Sequence, residues 1–407
     1  MLVTNLDRSE FTARCEACQK EAVRRGLNGV MVWSRGGGTM DRYAGCGYFA
    51  NHYQQRCYLP DLLPLWSGRS HCVLLIPPVG KSVLLVTTTE YRRDLVAIED
   101  VRYSTDFFQL VIDTAKELHM DSGDVGLIYG DTMTWKIGTE VKKGLPELNW
   151  VPCDDILERM RVVKTPMEQA VIREACRIGS EAVDMIMEDV QEGKTEAQVL
   201  GRAMAHVYSH GACLYYAVSN SGENSAPVHS IDFPGYSYDR PMKNGDLYKV
   251  DLIIAYQGYL CDFGRTTVVG GKGTPMQEKM IRLVTDACEY VIAHIRPGVA
   301  ASELCRMGDR YLEEHGVSLS AQQDDAQQIY AAFPPHWGHG LGMTWERPWM
   351  VESEDMVIQK GMYLAIEKAL YQQEVGTVTY EQDMLVTDTG IELLSHTKKV
   401  NLLSGQE

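Results

Sequence analysis

Apolar residues recur along this chain with two different periods, and where the periods change they mark out its elements. From about Ser9 to Arg25 they fall at helical spacing, and the next apolar run, GVMVW from Gly29 to Trp33, has the length of a buried strand. HCVLLIPP (His71 to Pro78) and SVLLVTTT (Ser82 to Thr89) read as further strands, Phe107 to His119 as a helix and VGLIYG (Val125 to Gly130) as another strand. The alternation predicts a small α/β domain. The glycine-rich segment SRGGGTMDRYAGCGY (Ser34 to Tyr48) lacks the GxxxxGK[ST] spacing of a phosphate cradle and reads as a flexible loop able to reach an active site.

A new element is announced at RMRVVKTPMEQAVIREA (Arg159 to Ala175). Thr165 suits a helix cap, Pro166 its first position and Glu168 the reciprocal place of a capping box. An amphipathic helix to about Glu192, a helix from Thr195 to His210, a β-rich stretch and a helix from Met276 to Ile295 follow, the last stopping before Pro297 and Gly298. GGKGT (Gly270 to Thr274) follows a strand and leads into a helix, as a turn does. The expected domains are therefore residues 1–158 and 159–407, and the expected class is α+β.

Composition narrows the function. A length of 407 residues exceeds what one hydrophobic core usually supports, and 45% hydrophobic with 23% charged is ordinary globular composition. No segment has the uncharged apolar length of a membrane span. A net charge of -16, with no local cluster of Lys and Arg, argues against a nucleic-acid partner. The opening MLVTNLDRSEF has early charges and no apolar core, and 11 cysteines are an odd number, so reduced thiols in a cytoplasmic enzyme are the expectation. Cys15 and Cys18 form a lone CxxC on the first helix, with no second pair to complete a zinc site.

The candidate chemistry lies in the second half. Asp251 and Asp262 sit in DLYKVDLIIAYQGYLCDFGRTTVV, two β-rich runs that turn near Gln257 and Gly258. A two-residue loop at 256–257 pairs the aspartates directly, and one at 257–258 makes them diagonal neighbours; either puts both on one face. Glu367 in GMYLAIEKALY and Glu381 in TVTYEQDMLVT each place a carboxylate inside an apolar strand, which is unfavourable unless the group is paired or bound to metal. His339 lies in HWGHGLGM, where glycines permit close backbone approach. Four carboxylates and one imidazole form a hard ligand set for two ions of Mn, Fe, Co or Zn that would activate water between them.

With these motifs in hand, the chain resembles the pita-bread fold hydrolases, the family of methionine aminopeptidase, aminopeptidase P, prolidase and creatinase. The likeness rests on the linker at Arg159 to Ala175, DFGRTT, TPMQEKM, the PG after that helix, GHGLG, GMYLAIE and YEQDMLVTDTG, and it extends more loosely to a creatinase-like N-terminal domain. It implies a pita-bread catalytic domain, the metal ligands Asp251, Asp262, His339, Glu367 and Glu381, and a homodimer. It also implies a substrate-contacting His229 and a role for Glu367 as the base that takes a proton from the attacking water. One position departs: seven residues beyond His339, where family peptidases carry a second histidine, stands Glu346. Its carboxylate, with Trp345 and Trp349, would suit a cationic group; the alternative is an exposed Glu346 paired with Arg347. The expected function is hydrolysis of a C-N bond in an Xaa-Pro dipeptide or a compact amide-like compound of the creatine or ectoine kind. Alternatives are a lyase of an onium compound, resembling the dimethylsulfoniopropionate lyases, and a non-catalytic binding protein on the same scaffold.

Overall fold

The computed structural model describes residues 2–5, 7–36, 44–54, 56, 59–229, 234–320, 325–332 and 334–397. The chain divides into two compact units, Met1–Arg161 and Val162–Glu407.

The first unit is built on a mixed sheet of β1 (Val30–Arg35), β2 (His71–Ile76), β3 (Val83–Val86), β4 (Asp100–Tyr103), β5 (Gly123–Ile128) and β6 (Leu148–Pro152), in the order β4-β3-β2-β1-β5-β6. Its helices are α1 (Arg8–Arg24), α2 (Ala44–Ala50), α3 (Phe107–Glu117), α4 (Trp135–Gly144) and α5 (Asp154–Arg161). Met31, Trp33, Val73 and Leu75 share one apolar core with Phe107 and Val111 of α3 and Val141 of α4, while α1 packs against β1 and β2. Strands buried on both faces read as continuous apolar runs, which is why GVMVW and HCVLLI are recognisable without alternation. The segment Ser34 to Tyr48 departs from a flexible loop: Ala44 to Tyr48 belong to the buried helix α2, and the centre of the segment lies outside the described residues.

The second unit opens with α6 (Pro166–Asp189), whose capping box is formed as its sequence requires: Thr165 Oγ1 accepts from Glu168 N and Glu168 Oε2 accepts from Thr165 N at 2.8 Å. The other Glu168 oxygen accepts from Tyr259 Oη at 2.9 Å, tying the helix start to the sheet beneath it. Then come α7 (Glu196–Ser209), β7 (Ala212–Ser221), β8 (Leu247–Tyr256), β9 (Tyr259–Val268), α8 (Pro275–Ile292) and α9 (Ala301–Glu314). The chain ends in β10 (Val317–Ser318), β11 (Ile329–Ala331), β12 (His339–Leu341), β13 (Trp345–Trp349), β14 (Tyr363–Gln372), β15 (Gly376–Val386) and β16 (Ile391–Leu393).

Two sheets result, β7-β8-β9 and a larger one in which β14 carries β11 and β12 on one edge and β15 on the other. Helix α6 lies on β8 and β9, α8 lies on β14 and β15, and β9 packs beside β15. Helices and sheets are thus mixed in the α+β manner. Carboxylates on β8, β9, β14 and β15 are consequently brought into one buried seam.

Candidate metal centre

The β8-β9 turn decides where two aspartates point. Gln257 and Gly258 form the loop with φ of 48° and 89°, the pair of positive angles that a type I′ turn demands. Asp251 therefore lies opposite Gly264 and Asp262 opposite Ile253, the diagonal of the two arrangements the sequence allows. On the other sheet Glu367 and Glu381 are direct cross-strand partners, and His339 on β12 lies beside Ala365 of β14. Gly338 makes that approach possible: its φ is 121°, and a Cβ there would stand 2.0 Å from the Ala365 carbonyl oxygen.

Ligand atoms of Asp262, His339 and Glu381 fall within 4.8 Å of one another. His339 Nε2 is 3.9 Å from Asp262 Oδ2 and 3.5 Å from Glu367 Oε1. Asp251 joins the group electrostatically and through a hydrogen bond with Asp262, and its Oδ1 is buried without a hydrogen-bond partner. All five residues named from the sequence thus converge.

Burial and mutual repulsion raise the carboxyls. Burial first, then the Glu367 charge, lifts Asp251 to about 7; burial, then neighbouring carboxylates, lift Asp262 and Glu381 well above the ordinary range. Glu367 is the exception. Burial opposes its ionisation, but a hydrogen bond from His339 and the charge of His339 hold its carboxyl below the usual value. A cluster that crowds carboxylates and leaves one oxygen unanswered is a poor home for protons alone and a suitable one for divalent cations.

The surrounding groups orient these ligands. Trp345 Nε1 donates to Asp262 Oδ2 at 2.9 Å. Asp383 Oδ2 accepts from the Asp262 backbone N-H at 2.9 Å and from Tyr363 Oη at 2.7 Å, and burial pushes its carboxyl up to about 6. Two buried lysines, Lys249 two residues before Asp251 and Lys368 directly after Glu367, hold two loops. Lys249 donates to the carbonyls of Pro227 and Val228, in the segment that carries His229; Lys368 donates to those of Pro335 and His336. Upstream, the Glu196 carboxylate collects Ser221 N, Ser221 Oγ and Ser237 N at 2.6 to 2.8 Å, fixing the polar turn ahead of His229. His229 itself is exposed, within electrostatic reach of Glu367 and His336.

Three features differ from what the sequence leads one to expect. Glu346 is not exposed: it is buried, with Oε2 3.1 Å from Lys164 Nζ, while Arg347 pairs with Glu354. Its charge is answered inside the protein, which removes the physical basis for an open cation receptor there. The tryptophans beside it face the cluster, Trp345 through Asp262 and Trp349 with its ring 5.2 Å from those of His336 and His339. The third is His336, which the ligand pattern does not include. Its Nδ1 is 3.5 Å from Glu367 Oε1 and accepts from Gly338 N at 3.2 Å, and burial holds it at about 4, so the ring is neutral and carries its proton on Nε2. Its only sequence signal is a second histidine in the same glycine-rich loop as His339.

Residues 170–388 match the model of metallopeptidase family M24, and residues 14–163 match that of the creatinase/prolidase N-terminal domain. The chain is 29% identical over 264 residues to an Xaa-Pro dipeptidase of Pyrococcus horikoshii, covering 64% of this chain and 70% of that protein. It is 28% identical over 393 residues to an Xaa-Pro dipeptidase of Mus musculus, covering 83% and 74%. A prolidase structure from Pyrococcus horikoshii superposes with a TM-score of 0.77 at 22% identity, covering 95% of this chain and 99% of that one, a likeness of fold. Among the described residues, no helix is long and apolar enough to cross a membrane.

Proposed function

The chain belongs to metallopeptidase family M24, a metal-dependent hydrolase that cleaves C-N bonds, and from that premise we propose that its substrate is a short peptide of the Xaa-Pro class. The observation that carries this reading is the convergence of Asp251, Asp262, His339, Glu367 and Glu381 in one buried seam. These five would hold two divalent ions, of Mn, Fe, Co or Zn. Bound there, such ions supply Lewis acidity to a carbonyl oxygen and lower the pKa of water.

The chain's own groups divide the remaining work. Glu367, partly open at 29% side-chain exposure and the one held ionised, accepts the proton of the attacking water at Oε1. His336 is a neutral imidazole with a donor at Nε2, suited to negative charge developing on the substrate. It offers beside Glu367 the kind of donor that Glu346, salt-bridged to Lys164, does not. His229, on the segment held by Lys249, contacts the substrate. The names of the relatives favour a dipeptide over the lyase and the non-catalytic alternatives. The family resemblance adds a homodimer.

Metal-loaded protein assayed against Xaa-Pro dipeptides, non-proline dipeptides and creatine-like or ectoine-like compounds tests this. Turnover is expected on Xaa-Pro, lowered by about 100-fold or more in Glu367→Gln while the circular dichroism spectrum is unchanged. Hydrolysis confined to the creatine-like or ectoine-like compounds, or a Glu367→Gln variant of near-normal activity, would count against it.

A further inference from the structure

A second group of ligating side chains lies outside the central seam, where α6 and α7 run side by side. His206, in the last turn of α7, and His210, its C-cap, are four residues apart and so share a helix face, with ring centroids 4.2 Å apart. Glu181 reaches them from α6, with Oε2 2.9 Å from His206 Nε2. Ligand atoms of all three lie within 4.8 Å of one another.

The backbone prepares one imidazole for this role. His210 Nδ1 is 3.0 Å from the His206 carbonyl oxygen, and a carbonyl only accepts, so Nδ1 carries the hydrogen and Nε2 keeps its lone pair. Metal-ligating histidines are commonly held in this way, through an N-H bond to a backbone carbonyl. Ser209 Oγ, 3.3 Å from the same Nδ1, adds a second polar neighbour on that side. Arg177 occupies the other carboxylate oxygen, Glu181 Oε1, at 2.7 Å, which leaves Oε2 on the histidine side. The site is open to solvent: His210 is exposed and the Glu181 side chain is 42% exposed.

We propose that Glu181, His206 and His210 form a surface site for a borderline divalent cation of the zinc class, clipping α6 to α7. Two imidazoles and one carboxylate, with water in the fourth position, suit Zn²⁺ or Cu²⁺, whereas the central set of four carboxylates and one imidazole is harder. The two sites therefore differ in preference. The clip lies on the helix that backs β8 and β9, so it steadies the support of the hairpin bearing Asp251 and Asp262 without touching either aspartate.

The test is zinc binding by the full chain after loading with manganese, compared with His206→Ala/His210→Ala and with Glu181→Gln. Wild type is expected to bind one zinc ion per chain more than the double variant and to melt at higher temperature when zinc is added. Hydrolytic activity should be the same in both. Glu181→Gln should weaken that zinc at least about tenfold. Cu²⁺ added in place of zinc should give a two-nitrogen electron paramagnetic resonance pattern that the double variant lacks. Equal zinc content in wild type and double variant, with no difference between their copper spectra, overturns the site. Failure of manganese to bind would instead strike the central reading and leave the zinc difference measurable.

Discussion

A carboxylate inside an apolar strand needs a partner, and that single rule makes Glu367 and Glu381 legible in the sequence. The same rule applies to Asp383, two residues beyond Glu381, and to Lys249 and Lys368, all buried in strands. Their roles are hidden because a sequence does not say which buried charge faces which neighbour. Trp345 illustrates the point most sharply. Its sequence context suggests an aromatic wall, whereas its indole N-H holds the Asp262 carboxylate. Trp345→Phe keeps an aromatic ring and removes the donor, and it should weaken binding of manganese by about 10- to 100-fold, as the loss of a group orienting a ligand does. A titration showing wild-type affinity would make Trp345 a packing residue only.

Among elements, the β8-β9 hairpin carries the most information per residue. Its alternating pattern limits the loop to an even length if both aspartates are to share a face, but periodicity alone does not choose between loops at 256–257 and 257–258. Backbone chemistry makes the choice, since Gly258 accepts a φ of 89° without strain and so belongs inside the turn. Gly258→Ala should therefore destabilise the protein by about 1–2 kcal/mol, measured by denaturant unfolding. A variant as stable as wild type would mean that the turn tolerates a side chain there. The capping boxes that start α6, α7 and α8 are readable for a related reason, because each requires a Thr and a Glu or Gln three residues on, whatever the fold. The long-range pairing of β12 with β14 has no such local signature, and with it the place of His336 is hidden.

Across the whole molecule the two units differ in what sets their response to pH. In the first, His71 is buried at the start of β2 and accepts from Trp33 Nε1 at 3.0 Å, and burial, then the Arg35 charge, lowers it from 6.5 to about 3. Between those values the unfolded chain takes up a proton that the folded chain does not. Its contribution is thus fully present above pH 6.5 and is lost as pH falls through that window, at about 1.4 kcal/mol per unit at most. Amide hydrogen exchange in β1 and β2 should accelerate on acidification from pH 6.5 to about pH 4.5, less so in His71→Gln; identical profiles would assign the acid sensitivity elsewhere. In the second unit the dominant charges are the central carboxylates, and a direct count of the metal they hold bears on everything above. Purified chain loaded with manganese and dialysed should retain about two ions, falling well below two when Asp262→Asn or His339→Ala is introduced. A folded chain that retains none of Mn, Fe, Co or Zn would contradict the metal centre itself.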